Sequence, residues 1–254
     1  MKITIAHLYP DLMNMYGDRG NVIVLAKRCQ WRNIEVEVKN IYLGEKFDAE
    51  KYDLIFMGGG QDKEQRLVAK DFQKVKGESI KKAAQKGVVI LGICGGYQLF
   101  GHYYKTQKGD KIPGIGILDV YTKAGPQRMI GNAIIKSSLQ LKTYSLKLNT
   151  LVGFENHSGQ TFLGKRAKPL GFVEVGYGNN GKDRTEGAIQ NNVFGTYLHG
   201  SFLPKNPHFA DYLISLAISQ RYGPIDLQPL DDEIEIKAHQ AALKIARKKK
   251  TLHL

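Results

Sequence analysis

Acidic residues, cysteine and tryptophan are scarce in this chain. Its 254 residues carry 24 Asp and Glu against 37 Lys and Arg, a formal net charge of +13, with two cysteines and one tryptophan. Two thiols, Cys29 and Cys94, cannot form a disulfide framework and make no metal site. No run of 18 apolar residues occurs, which excludes a membrane-spanning helix. The opening Met1-Lys2-Ile3-Thr4-Ile5-Ala6 enters a strand pattern directly, without the apolar stretch and cleavage site of a secretory signal. A cytoplasmic protein is expected. There is no zinc-finger spacing, no basic helix with interleaved aromatics, no internal repeat and no low-complexity segment. Nucleic acid is therefore not the expected partner, and the surplus of positive charge points to an anionic substrate, lipid headgroup or acidic subunit. The one dense basic run, Arg247-Lys248-Lys249-Lys250, reads as a solvated end.

What is present is alternation. Ile3-Thr4-Ile5-Ala6, then Val22, Leu25, Ala26 and Cys29 at helical spacing, then Ile34 to Val38 give strand, helix, strand. Asp53-Leu54-Ile55-Phe56-Met57 is a buried strand ending in Gly58-Gly59-Gly60, and Val88-Val89-Ile90-Leu91 is another. Between them Val68, Phe72, Val75, Ile80, Ala83 and Ala84 mark a long amphipathic segment. This order predicts an α/β fold, a mostly parallel sheet flanked by helices. From about Gly109 to Gln190 short strands and frequent glycines predict antiparallel hairpins appended to the core. Two closing helices come next, one striped by Ala210, Leu213, Ile214, Ala217 and Ile218, the other by Ile234, Ala238, Ala241, Ala242 and Ile245. The expected division is one domain over 1–225 and a C-terminal helix with basic tail over 226–254.

Gly92-Ile93-Cys94-Gly95-Gly96 closes the buried strand and opens a helix at Tyr97-Gln98-Leu99-Phe100. This is a Gly-x-nucleophile-x-Gly elbow with cysteine as the nucleophile. The turn strains the nucleophile's backbone, and side chains on its neighbours would clash. A cysteine in the first turn of a helix is favoured as thiolate, and the N–H of Gly95 can face a developing oxyanion. A tight turn around an inert buried thiol has the same local pattern. A cysteine nucleophile needs a base. Of the seven histidines, His199 is delivered by the strand-like Val193-Phe194-Gly195-Thr196-Tyr197-Leu198 to a turn at Gly200.

Gly-Gly-Gly after one strand, Gly-Ile-Cys-Gly-Gly after another and Gly-Thr-Tyr-Leu-His-Gly-Ser late in the chain together resemble class I glutamine amidotransferases. The match is closest to the branch with the cobyric acid synthase glutaminase domains. It implies that Cys94 is the nucleophile and His199 the base, and that N–H groups of Gly95 and of the Gly58–Gly60 loop, Gly60 among them, form the oxyanion hole. Many of these enzymes carry His-x-Glu, whereas here the run is His199-Gly200-Ser201. An acid supplied by a partner subunit is the expected completion. The string Leu8-Tyr9-Pro10-Asp11-Leu12-Met13-Asn14-Met15-Tyr16-Gly17-Asp18-Arg19-Gly20-Asn21, together with Gln61-Asp62, Gln127-Arg128 and Gly153-Phe154-Glu155-Asn156-His157-Ser158-Gly159, resembles the glutaminase subunits of lipid II isoglutaminyl synthases. The resemblance runs from residue 3 to about 222.

That resemblance implies a heterodimer with a Mur-ligase-like (MurT-type) subunit, to which ammonia from L-glutamine would be supplied. The D-glutamate α-carboxyl of lipid II would then be amidated, at the inner face of the membrane. Arg128 would clamp the substrate glutamine's carboxylate. No Gly-x-x-x-x-Gly-Lys-Ser/Thr loop is present, so ATP and Mg are expected on the partner and no cofactor or metal on this chain. Two readings stand beside it: a glutaminase serving another synthase of the cobyric acid type, and a non-catalytic regulatory or scaffold subunit. A cysteine peptidase or other amidase shares the elbow.

Overall fold

The computed structural model of the chain describes residues 1–141, 148–199 and 201–248. Gly200, expected as the turn after His199, and Lys249-Lys250 of the basic tail lie outside the described residues.

Along the chain the elements are β1 (Lys2–Leu8), α1 (Arg19–Gln30), β2 (Glu35–Ile41), β3 (Leu54–Met57), α2 (Asp62–Asp71), α3 (Gly77–Gln85), β4 (Val89–Ile93) and α4 (Gly95–Phe100). The next are β5 (Tyr103–Lys105), β6 (Lys111–Pro113), β7 (Val120–Ser137), β8 (Thr150–Leu163), β9 (Gly171–Val175), β10 (Thr185–Glu186), β11 (Ala188–Gln190) and β12 (Val193–Thr196). The described chain closes with α5 (Pro207–Tyr222) and α6 (Glu233–Lys248).

The first sheet has the order β11-β12-β4-β3-β1-β2, and only β11 runs antiparallel to its neighbour. Its inner strands are apolar on both faces because helices cover both; Leu54 to Met57 and Val89 to Leu91 are all fully buried. The edge strand β2 instead exposes Glu35 and Lys39, charges that discourage further pairing. The carboxyl ends of β12, β4, β3 and β1 therefore lie side by side, and the loops leaving these strands meet along one edge.

The appended region forms a second sheet of order β10-β9-β7-β5-β6 with β8 also paired to β7. Its pairings are antiparallel, as the glycine-rich texture predicts, except that β5 runs parallel to β7, and it starts at Tyr103, ahead of the expected Gly109. The β7–β8 register breaks between Ala124 and Met129, so Gly125 to Arg128 bulge out opposite Ser158. At one isolated bridge, Phe154 of β8 exchanges backbone hydrogen bonds with His199, joining the second sheet to the end of β12.

Ala210, Leu213, Ile214, Ala217 and Ile218 of α5 are fully buried, as their stripe predicts. The stripe assigned to α6 is wrong. Ile234 is 79% and Ile245 51% exposed, while His239 and Ala246 are buried. The reason is polar: the His239 ring engages the Lys205 carbonyl at 2.8 Å and the Thr150 hydroxyl at 3.0 Å. A satisfied buried imidazole thus sets the rotation of α6, which apolar periodicity alone cannot reveal. Cys29 lies in the core, where burial pushes its thiol up to about 12, so it stays protonated and inert.

Candidate active site

Cys94 stands between β4 and α4 with φ 50° and ψ −101°, a strained backbone for a residue with a side chain. Its N–H donates to Thr196 O of β12 at 2.8 Å, and its carbonyl accepts from Gln98 N at 2.9 Å. The turn is closed by close approach: a Cβ on Gly96 would lie 2.5 Å from Met57 O, and one on Gly95 would lie 2.9 Å from Gly60 N. These contacts explain the Gly-Gly pair after the cysteine better than backbone freedom does. α4 has only six residues, so its dipole contributes modestly to the thiolate.

His199 arrives from β12, held by its bridge to Phe154, and is fully buried. A methyl group at Gly59 would fall 2.8 Å from His199 Cε1 and 3.4 Å from Cys94 Cβ, so both side chains face the same small space. Cys94, His199, Gly60 and Arg128, all singled out in the sequence, line one cavity of about 410 Å³. Gly95, which opens α4 next to Cys94, is not among the lining residues; its N–H belongs to the first turn, which has no intrahelical acceptor.

The acid expected from a partner is present in this chain. His199 Nδ1 donates to Asp18 Oδ1 at 3.1 Å, and both side chains are buried. The inference from His199-Gly200-Ser201 fails because the carboxylate comes from the loop after β1, 181 residues away. Nε2, the other ring nitrogen, is buried without a hydrogen-bond partner among the described residues. Burial acts to lower the imidazole pKa, but the adjacent Cys94 charge and the Asp18 hydrogen bond outweigh it and raise it to about 10. At neutral pH the arrangement favours the imidazolium form of His199.

The same N-terminal loop covers the cavity's other side. Tyr16, with φ 54°, sets its ring edge-on to the His199 ring at 5.0 Å. Its hydroxyl accepts from Asn156 Nδ2 at 2.8 Å and from Arg128 Nη2 at 3.3 Å. Arg128 Nε donates to Asn156 Oδ1, so the guanidinium is fixed on the β7 bulge and aimed at the cavity. Asn156 and His157 line the cavity, and Glu155, with Oε2 3.9 Å from His157 Nε2, accepts from Tyr177 N at 2.6 Å and Gly178 N at 2.9 Å. His157 donates Nδ1–H to the Gly159 carbonyl at 2.7 Å and stacks on Tyr197. Sequence reasoning missed Asp18 and Tyr16 as site residues. Their signal was position, in a polar loop at the carboxyl end of β1.

Among the described residues no group of three or more His, Cys, Asp or Glu could hold a metal ion, and no helix is long and apolar enough to cross a membrane.

Residues 4–207 match the CobB/CobQ-like glutamine amidotransferase domain. The chain is 40% identical over 249 residues to the lipid II isoglutaminyl synthase (glutamine-hydrolyzing) subunit GatD of Staphylococcus aureus strain N315, covering 98% of each. It is 42% identical over 223 residues to the subunit of the same name from Streptococcus pneumoniae strain R6, covering 87% of this chain and 83% of that one. Among solved structures, PurLQS from Thermotoga maritima aligns with a TM-score of 0.60 at 19% identity, over 86% of this chain and 98% of that one, a likeness of fold.

Proposed function

The chain belongs to the CobB/CobQ-like glutamine amidotransferase family, and we propose that it is the glutamine-hydrolysing subunit of a lipid II isoglutaminyl synthase. The carrying observation is the likeness to two such subunits over nearly its full length. The cavity where Cys94 and His199 face each other gives that likeness a chemistry. The scaffold reading loses ground because both reacting groups are present and adjacent. The cobyric acid reading shares the domain but not the full-length likeness.

In the proposed reaction Arg128 holds the α-carboxylate of L-glutamine, which places the side-chain amide over Cys94. The Cys94 thiolate attacks the amide carbon, forming a C–S bond and pushing the carbonyl electron pair onto oxygen. The N–H groups of Gly95 and Gly60 receive that oxyanion. Its collapse breaks the C–N bond, and the His199 imidazolium gives its proton to the leaving nitrogen, releasing ammonia. Neutral His199 then takes a proton from water as the water oxygen attacks the thioester. Cleavage of the C–S bond releases glutamate and restores thiolate and imidazolium.

The ammonia would pass to a MurT-type ligase subunit, which supplies ATP and Mg for activating the D-glutamate α-carboxyl of lipid II. The pair would work in the cytoplasm, at the inner face of the membrane. The positive surplus of this chain suits a lipid-linked pyrophosphate there. The test is Cys94→Ala in the chain co-expressed with its ligase subunit. Glutamate release should fall by several orders of magnitude, and muropeptides analysed by mass spectrometry should lose D-isoglutamine. A variant within tenfold of the parent would remove Cys94 from the reaction.

A further inference from the structure

The closing helix α6 turns its larger apolar side chains outward. Its inner face is small and polar: Ala246 packs on Ile134 and Val152, with Ala242 and Leu243 partly covered, and His239 supplies the hydrogen bonds described above. The outer face carries Ile234, Ala238, Ala241 and Ile245, all exposed. Their spacing of i, i+4, i+7 and i+11 sets them on one ridge, with no polar residue between the two isoleucines along it. A single exposed isoleucine needs no explanation, but an ordered apolar ridge marks a contact surface.

Charge says what that surface fits. Lys237, Lys244 and Lys248, at i, i+7 and i+11, form a second exposed ridge immediately beside the apolar one. From Ile236 to Lys250 the sequence holds six basic residues and no acidic one. Of the acids in the first turn, Glu233 is paired with Lys237, and Glu235 is half-buried on the other flank. Arg247 reaches back to Glu174 of β9 at 2.9 Å and pins the last turn to the second sheet. Lysine stems can lie along the apolar ridge while their ammonium groups reach past it.

We propose that α6 is an interfacial helix that docks the protein on an anionic phospholipid surface. Lying in the plane of the surface, it sinks Ile234, Ala238, Ala241 and Ile245 below the headgroups and sets its lysines among the lipid phosphates. A protein groove could take the apolar ridge, but it would need an acid placed opposite each lysine, whereas a bilayer offers negative charge and water at every position. A second copy of this chain would bring two such basic helices together, and like charges oppose that. The net charge of +13 draws the whole molecule the same way. No residue of α6 lines the catalytic cavity, and the helix lies beyond the family domain of residues 4–207. The inference therefore goes beyond the reaction proposed above and does not depend on it.

The test is sedimentation of the full chain with phosphatidylcholine vesicles carrying about 30% phosphatidylglycerol. The protein should partition onto them, and at least about tenfold less onto phosphatidylcholine alone or in about 0.5 M salt. Ile234→Gln with Ile245→Gln should cut partitioning at least about tenfold, and Lys237→Gln with Lys244→Gln at least about fivefold. Glutamate release in free solution should match the parent in every variant, which shows that they fold. Ile234→Trp adds a direct probe: its emission should shift to the blue with anionic vesicles, over the background of Trp31, the one native tryptophan. A parent that stays in the supernatant, or that binds neutral vesicles equally, overturns the proposal. So does full binding by the isoleucine variant, since basic surface elsewhere would then be responsible. Loss of binding on adding the ligase subunit, or a dimer in light scattering that the isoleucine changes dissolve, assigns the ridge to a protein and overturns it too. If the parent binds vesicles but releases no glutamate, the function proposed above fails and the docking stands.

Discussion

Gly59→Ala places a single methyl group between the reacting side chains. The added carbon would sit 2.8 Å from His199 Cε1, 3.3 Å from Asp18 Oδ2 and 3.4 Å from Cys94 Cβ. Carbon atoms pack best at about 3.5–4.0 Å, so the histidine contact is short by roughly 0.7–1.2 Å. The ring has little room to yield. Asp18 tethers Nδ1 at 3.1 Å, and Tyr16 closes the other side with its ring at 5.0 Å. Gly59 is not among the glycines with positive φ, so alanine suffers no backbone strain and the effect stays local. Overpacking of this kind costs about 1–3 kcal/mol, and a displacement of about 1 Å at reacting groups costs on the order of a hundredfold in rate. The expected outcome is a loss in kcat near that size, with the melting temperature lowered by only a few degrees. Steady-state glutamate release and a thermal melt measure the two effects separately. A variant with kcat within about fivefold of the parent would show that Gly59 does not separate Cys94 from His199, and the described geometry would be wrong.

Arg128→Ala should act on glutamine binding, raising KM by one to two orders of magnitude with kcat changed far less, because a carboxylate clamp is worth nearly the same in ground and transition states; unchanged affinity in a direct titration refutes it. The pH profile is set by the direction of the His199 shift. Its pKa is raised from 6.5 to about 10, so the folded protein keeps the imidazolium across that interval and loses it only above. Glutaminase rate should therefore hold through pH 8–9 and fall as pH passes about 10, since deprotonated His199 cannot protonate the leaving nitrogen. The same sign makes the stability contribution of this proton complete below 6.5 and lost as pH rises toward 10. A rate limb near 6.5 belonging to His199 would mean that the ion pair does not form.

Much of the sheet was legible because its signals are local. Four apolar residues in Leu54–Met57 can only be a strand covered on both faces, and the glycines behind them mark where it must turn. Cys94 was legible for the same reason. A strained turn, a close approach at Gly96 and a first helical turn all act within a few residues and leave their trace in one pentapeptide. His199 was readable because β12 brings a strand signature with it, and parallel pairing of β12 with β4 then places it beside the elbow.

Asp18 and the α6 face escaped for one physical reason: polar groups are satisfied by whatever the fold brings near, and chain distance does not limit the choice. A carboxylate two residues beyond the histidine is what family habit leads one to seek, and its absence at Ser201 looked like a gap. The chain fills the gap from the loop after β1, which the sheet order β12-β4-β3-β1 lays along the same edge. Ser201 has another task. Its hydroxyl donates to Gly17 O at 2.9 Å, and a Cβ on Gly20 would lie 2.4 Å from Ser201 Oγ. The serine after the histidine thus packs against the segment that carries Asp18, where a glutamate would be too long to fit. Substituting a carboxylate at Ser201 to rebuild a His-x-Glu pattern would push that segment away and weaken the Asp18–His199 bond.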